Sequence, residues 1–365
     1  METLNHFLKR RTDKDLEDII LSISNSCSLI DVQISNVERN KQNSISENFT
    51  GDIQKEIDIT CNNILYSSIV GSGKVSAIVS EENQKIIRLK SNIPEKYLVA
   101  FDPLDGSSNI EYDGGLGTIF GIYKETGEYP SGKDIICAGY VLYSNSTVLV
   151  LSFQDYVYHF TLNRRNKVFY KNEDAIVIPH RSKRIFSANA GNYDFWYQED
   201  KNFYRYVTEK RYKFRYSGCM VMDVHRILFA GGIFMYPSDV KNISGKLRML
   251  YECIPLSFII ENANGLSSNG NCSILDLLPV SIHQKCPIYL GCKRDVILLK
   301  NFHRKNQLDN FSFIVENYIG SGEDELTVKE GDTVKEFTVL NDDSWSRVVM
   351  THGETGVIPT KCLSN

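Results

Sequence analysis

Residues 101–109, FDPLDGSSN, carry the densest chemistry in the chain. An apolar run ends in Asp102, Pro103 turns the backbone, and Asp105 follows before Gly106-Ser107-Ser108. Two carboxylates at a strand end suit a hard divalent cation, which takes several oxygen ligands. Small residues with hydroxyls suit a phosphate, because backbone N–H groups can then approach it closely. Asp, Pro, Gly and Ser also make an ordinary β-turn, so the string alone leaves both readings open. A second apolar run, SAIVS, ends in Glu81-Glu82, Asp58 stands on a helical stretch, and Glu252 lies in LYECIP. Singly, each of these reads as surface charge. Together, Asp58, Glu81, Glu82, Asp102, Asp105 and Glu252 can make one acidic cage. Carboxylates packed that closely cannot all ionise without cations.

Alternating elements must position these residues. Leu16, Ile19, Ile20, Ile23, Cys27, Ile30 and Ile34 recur at helical spacing after Asp13. A polar loop over about 38–50 follows, and a second helix is predicted to open at Gly51-Asp52, with Ile53, Ile57, Cys61, Ile64 and Leu65 on its apolar side. From Val75 the period changes to strands: VSAIVS, YLVAFD, GTIFGIY, ICAGYVLYS, TVLVLSF, YVYHFTL and KVFY. Residues 187–300 mix a helix at Val221–Phe229, a strand at GGIFMYP and a helix at Leu256–Ala263. NFHRKNQLDNF, 301–311, is polar and reads as a linker, and short β-type runs fill 312–365.

Composition narrows the class. The 365 residues suggest two to three domains with ample core. The net charge of −4 disfavours a nucleic-acid or membrane-surface binder. Met1–Lys14 lacks the apolar region of a signal peptide, and no run approaches the roughly 20 apolar residues of a spanning helix. The nine cysteines are scattered singly without a CxxC pair, as expected of thiols in a reducing compartment. A soluble, cytoplasmic protein is expected. The charge is uneven: residues 312–365 hold ten acidic and four basic side chains, leaving 35 acidic and 37 basic in the rest.

The string FDPLDGSSNI, preceded by VSEE and followed by GTIFGIY, resembles the fructose-1,6-bisphosphatases (class I type). So do RYSGCMVMDVHRILFAGGIFMYP, GKLRMLYECIP and SIHQKCPIYLG, and the resemblance covers roughly residues 2–300. It implies an α/β (α+β layered) sugar-phosphatase fold in two subdomains, 1–178 binding metal and 179–300 binding sugar phosphate. It also implies metal-dependent hydrolysis of the 1-phosphate of fructose 1,6-bisphosphate, a step of gluconeogenesis, with two to three Mg²⁺ (or Mn²⁺) ions per active site. Metal ligands would be Asp58, Glu81, Asp102, Asp105 and Glu252, with the Leu104 carbonyl. Glu82 would activate water and Arg248 would lie near the reacting centre. Gly106, Ser107 and Ser108 would hold the reacting phosphate, and Asn189, Arg215, Tyr216, Tyr236 and Lys246 the remote one. Arg215 would reach a neighbouring subunit, implying a homodimer or homotetramer.

The sequence departs from the family at three places. Asn63 stands where the resemblance expects an Asp paired with the Glu82 position, which motivates a second reading as a catalytically weakened binding or scaffold protein. Asp13–Glu17 replaces the loop that binds AMP in regulated relatives, although Lys96 and Tyr97 match AMP-site residues. The loop Glu38–Gly51 is short and Glu111–Gly115 is unusual. A related substrate such as sedoheptulose 1,7-bisphosphate stays open.

Residues 312–365 resemble a Src-homology-three module, a small all-β barrel. GEDELTVKEGD matches its acidic loop, and Tyr318, Trp345 and Pro359 match its peptide groove, while Glu316 and Cys362 stand where two groove tyrosines are usual. A basic or Pro-rich peptide is the implied partner.

Overall fold

The computed structural model describes residues 1–36, 44–47, 53–89, 97–125, 127, 129–172, 174–179, 182–309, 312–314, 316–322, 325–330, 332–339, 344–350 and 354–363. The chain divides into two compact units, Met1–Leu299 and Lys300–Asn365. Among the described residues, no helix is long and apolar enough to cross a membrane.

Helix α1 (Leu4–Leu8) is followed by α2 (Lys14–Ser35), whose N-cap Asp13 accepts the Leu16 N–H at 2.8 Å. That cap satisfies one of the donors orphaned at a helix start. The predicted apolar stripe of α2 is buried from Leu16 to Ile30, and Ile34 packs at its edge. Strands β1 (Ser44–Glu47) and β2 (Ile53–Lys55) pair antiparallel. Helix α3 then runs Glu56–Gly71, burying Ile57, Cys61 and Leu65. It begins at Glu56 rather than at 51–52, which lie outside the described residues; Ile53, expected on the helix, belongs to β2.

Strands β3 (Ala77–Ser80), β4 (Ile87–Arg88), β5 (Tyr97–Asp105), β6 (Leu116–Lys124), β7 (Ile135–Tyr143), β8 (Thr147–Ser152), β9 (Val157–Asn163) and β10 (Val168–Lys171) form one sheet, ordered β10-β9-β8-β7-β6-β5-β3-β4. Every neighbouring pair is antiparallel except β3–β5. Helices α1, α2 and α3 share a core with one face of this sheet. Two later helices share a core with the other, which is why its central strands read as continuous apolar runs.

The second half contributes β11 (Ile185–Ser187), α4 (Gln198–Glu209), β12 (Lys213–Phe214), α5 (Met220–Ala230) and β13 (Gly232–Tyr236). After β14 (Leu247–Arg248), a π-helix (Met249–Cys253) leads into α6 (Ile254–Asn262) and β15 (Gly265–Ser268). Strands β16 (Lys285–Cys286) and β17 (Ile288–Cys292) precede α7 (Lys293–Asp309). The five-stranded sheet is ordered β12-β11-β13-β17-β15, with β11 parallel to both β12 and β13. Helices α5 and α6 fill the space against the large sheet. The stretch read as a linker, 301–311, is helical through Asp309 as part of α7.

The C-terminal unit contains β18 (Ser312–Phe313), β19 (Thr333–Val339), β20 (Trp345–Met350) and β21 (Thr355–Pro359) in one antiparallel sheet. A bridge between Ile314 and Leu363 joins its first and last segments. Its own small core includes Ile314, Val328, Val334, Val348, Ile358 and Cys362.

Candidate active site

Three separate pieces of chain supply the carboxylates. Parallel pairing sets Ser80 of β3 level with Phe101 of β5, and the Glu81 N–H donates to the Phe101 carbonyl at 3.2 Å. Glu81 therefore leaves the strand beside Asp102, and the two side chains hydrogen-bond each other. β5 shifts register against β6 between Asp102 and Asp105. Local bonds fix that irregularity: the Leu104 N–H donates to Asp102 Oδ1 at 2.9 Å, and Thr118 Oγ1 donates to the Pro103 carbonyl at 2.9 Å. Bulges of this kind re-aim side chains at the end of a pairing.

Asp105 meets the start of α5. Its Oδ2 accepts the Val221 N–H at 2.7 Å and the Cys219 thiol at 3.1 Å. Glu252 enters on the π-helix, which packs on β5 and β6, and accepts the Arg248 N–H. Burial, then the charges of Glu81, Asp105 and Glu252, pushes the Asp102 carboxyl well above the usual carboxylate range. Burial and the charge of Glu81 do the same to Glu252. Burial raises Asp105 as well, against the pull of Val221 N–H and the Cys219 thiol. Asp58 is buried in the first turn of α3. Cys61, one turn on, feels the charges of both Asp58 and Asp102, which with burial push its thiol up.

Two carboxylates in hydrogen-bond contact need a proton between them or a cation in its place. Asp102 and Glu81 are such a pair, and the carboxylate donor set is all hard oxygen, which fits Mg²⁺ or Mn²⁺. Among the described residues, no three of these side chains converge into a ready-made cation cage, so the fit rests on donor chemistry. Asn63, expected beside Glu82, is exposed on α3. Five residues from Asp58, it lies about 140° around the helix. Its neighbour Asn62 is what meets the Glu81–Glu82 turn: Ser80 Oγ donates to Asn62 Oδ1 at 2.6 Å, and Asn62 Nδ2 to Asn83 Oδ1 at 3.3 Å.

Gly106 turns the chain with φ +78°, and a Cβ there would stand 2.7 Å from Cys219 Cβ. Only glycine fits such a backbone and such an approach without strain. Ser107 and Ser108 then open a 3₁₀-helix, Ser107–Tyr112. Asn109 Nδ2 ties it down, donating to the carbonyls of Gly115 at 3.2 Å and Ser217 at 3.0 Å.

The remote-phosphate residues share a different cause. β11, β12 and β13 are parallel, so their C-terminal ends lie together, where open α/β sheets place ligands. Asn189 follows β11, Arg215 and Tyr216 follow β12, and Tyr236 ends β13. Tyr216, exposed as a residue, links this corner to the carboxylates: desolvation of its phenol, then the charges of Tyr236, Asp223 and Asp105, pushes it up. Arg215 is exposed, its guanidinium donating to the Phe214 carbonyl at 2.7 Å. Lys246 is exposed just before β14, and Arg248 within β14 is buried. Of the AMP-type positions, Tyr97 is buried at the start of β5, and Lys96 lies outside the described residues.

Asn62, Asn83, Cys219, Tyr251 and His283 were not singled out by sequence reasoning. Cys219 sits in RYSGCMVMDVHR, Tyr251 in LYECIP and His283 in SIHQ; only their place in those strings marked them.

The family models decide the kinship: the fructose-1-6-bisphosphatase N-terminal domain matches residues 3–173 and the C-terminal domain residues 178–304. The chain belongs to the fructose-1,6-bisphosphatase family. It is 40% identical over 274 residues to a class 1 fructose-1,6-bisphosphatase of Pseudoalteromonas translucida, covering 70% of this chain and 83% of the relative. The chloroplastic fructose-1,6-bisphosphatase of Brassica napus is 35% identical over 331 residues, covering 82% and 80%. Among solved structures, fructose-1,6-bisphosphatase of Leishmania major in holo form superposes with a TM-score of 0.79 at 32% identity, covering 83% of this chain and 99% of that one. The family is one of phosphoric monoester hydrolases. A variant SH3 domain model matches residues 314–365, beyond the phosphatase domains.

In that module, Tyr318 and Trp345 meet edge to face at 5.9 Å, and Trp345 pairs with Pro359 across β20–β21. Tyr318 donates its hydroxyl to Glu325. Glu316 pairs with Lys361 at 3.2 Å, and Cys362 is buried.

Proposed function

We propose that this protein hydrolyses the 1-phosphate of fructose 1,6-bisphosphate to give fructose 6-phosphate and phosphate, using Mg²⁺ or Mn²⁺. The observation that carries this is the cluster of Glu81, Asp102, Asp105 and Glu252, in which the buried Asp102 and Glu252 are pushed up by burial and by the neighbouring carboxylates, with Tyr216 at its border. A site so acidic suits a phosphorylated substrate only with cations bound. Asp58, Glu81, Asp102, Asp105, Glu252 and the Leu104 carbonyl would hold them. Divalent cations there supply positive charge against the phosphate and acidify nearby water. Ser107, Ser108 and the backbone at Gly106 hold the reacting phosphate, and Glu82 takes the proton of the attacking water. Arg248, buried beside Glu252, opposes the charge that develops on the phosphate. Asn189, Tyr216, Tyr236 and Lys246 orient the sugar through its distant phosphate.

Phosphate release from fructose 1,6-bisphosphate with either ion is the test, with Glu82→Gln as control. Glu82→Gln is expected to lose about 10²-fold or more of kcat, the usual worth of a general base. Turnover by the natural chain no higher than the control's would sink the reading. The exposed Arg215 supports a homodimer or homotetramer in which it completes a neighbour's phosphate site; a chain that sediments only as a monomer refutes this part. The nine free thiols support a cytoplasmic setting, and relatives are named cytosolic as well as chloroplastic. Tyr318, Trp345 and Pro359 are what a basic or Pro-rich peptide would meet on the C-terminal module. Glu316 and Cys362 offer it no further stacking surface, and we assign the module no ligand.

A further inference from the structure

The geometry points to His283 as a positioning residue of this site: its ring bridges the segment bearing Glu81 and Glu82 to the π-helix bearing Glu252 and holds the two in register. The inference rests on the function proposed above.

His283 lies in the turn between Ser281 and Gln284. Its Nε2 is 2.9 Å from the Asn83 carbonyl, and its Nδ1 is 2.8 Å from the Tyr251 hydroxyl. A carbonyl can only accept, so Nε2 carries the proton and Nδ1 accepts the hydrogen of Tyr251. The neutral ring thus makes two directional bonds from opposite edges, one donated and one accepted. Asn83 follows Glu82 directly, and Tyr251 directly precedes Glu252.

Both ends of the bridge are themselves fixed. On one side, the Met249 N–H donates to the Gln284 carbonyl at 2.7 Å, and β14 pairs with β16 at Leu247–Cys286 and Arg248–Lys285. These bonds bind the His283 turn to the base of the π-helix. On the other side, Asn83 Oδ1 accepts from Asn62, and its N–H donates to the Ser80 carbonyl at 3.2 Å. A continuous path therefore runs from α3 through Asn62, Asn83, His283 and Tyr251 to the π-helix. Tyr251 is fully buried, and the charges of Glu81 and Glu252 both reach its hydroxyl. Ligating carboxylates depend on such outer partners for their orientation.

His283→Phe and Tyr251→Phe each cut the bridge, the second by deleting a single oxygen. In each, Mn²⁺ binding followed by electron paramagnetic resonance without substrate is expected to weaken about tenfold. kcat should fall by a similar factor, with KM for the sugar phosphate held within about twofold. The double variant should be no worse than the poorer single one, because both remove one link. Cooperatively folded variants that bind Mn²⁺ and turn over like the natural chain overturn the inference, as do losses that multiply in the double variant. If His283→Phe does not fold, Tyr251→Phe decides alone. If the natural chain releases no phosphate, the proposed function fails, and the bridge is judged on Mn²⁺ binding.

Discussion

Gly106 gives the chain little freedom to change beside the carboxylates. Its φ of +78° lies in the left-handed region, and its missing Cβ makes room for Cys219 at the start of α5. Gly106→Ala is expected to cost about 2–4 kcal/mol, from backbone strain and the forced separation of Asp105 from α5. A denaturant midpoint unchanged from the natural chain would contradict this. The same contact shows how the site holds a carboxylate that burial disfavours: Val221 N–H and the Cys219 thiol both donate to Asp105. DPLDG was legible as two carboxylates at a strand end. That the partners of Asp105 stand more than a hundred residues away was not, because no local pattern records such a bond.

Between elements, His225 joins helix α5 to strand β7: its Nδ1 meets the Tyr140 hydroxyl at 2.8 Å. Burial, then the positive charges of His159 and Arg226, lowers its pKa from 6.5 to about 4. The unfolded chain therefore takes up a proton between pH 6.5 and 4 that the folded chain refuses. The contribution is complete at pH 7 and is lost as pH falls through that window, by up to about 3 kcal/mol. His225→Gln should flatten the fall in urea stability between pH 7 and 5 relative to the natural chain; identical slopes would refute the assignment. The carboxyls of Asp102 and Glu252 act in the opposite sense, which is why the comparison is made between variants. At this scale the strands of the large sheet were plainly legible, since apolar runs bounded by turns are what two-sided burial requires. The start of α3, the π-helix and the continuation of α7 through 301–309 were not. Lys, Asn and Gln give that stretch no apolar stripe, yet its Lys, Arg, Gln and Leu residues lose little on entering a helix.

At the scale of the molecule, two units with separate cores predict separable functions. A chain ending at Asp309, which keeps α7 whole, is expected to release phosphate within about twofold of the full chain. A loss beyond tenfold would show that the C-terminal module contributes to catalysis. The net acidity belongs to that module, since the rest of the chain carries a small positive excess. The bond from His283 to Asn83 spans 200 positions and joins the segment of Glu81 and Glu82 to that of Glu252. During synthesis at about 5–20 residues per second, the first carboxylates therefore wait tens of seconds for the last segment of their own site. Until then the β3–β5 end lacks Glu252 and the His283 bridge. In refolding, recovered secondary structure should run ahead of recovered Mn²⁺ affinity, making metal binding a late clock of assembly.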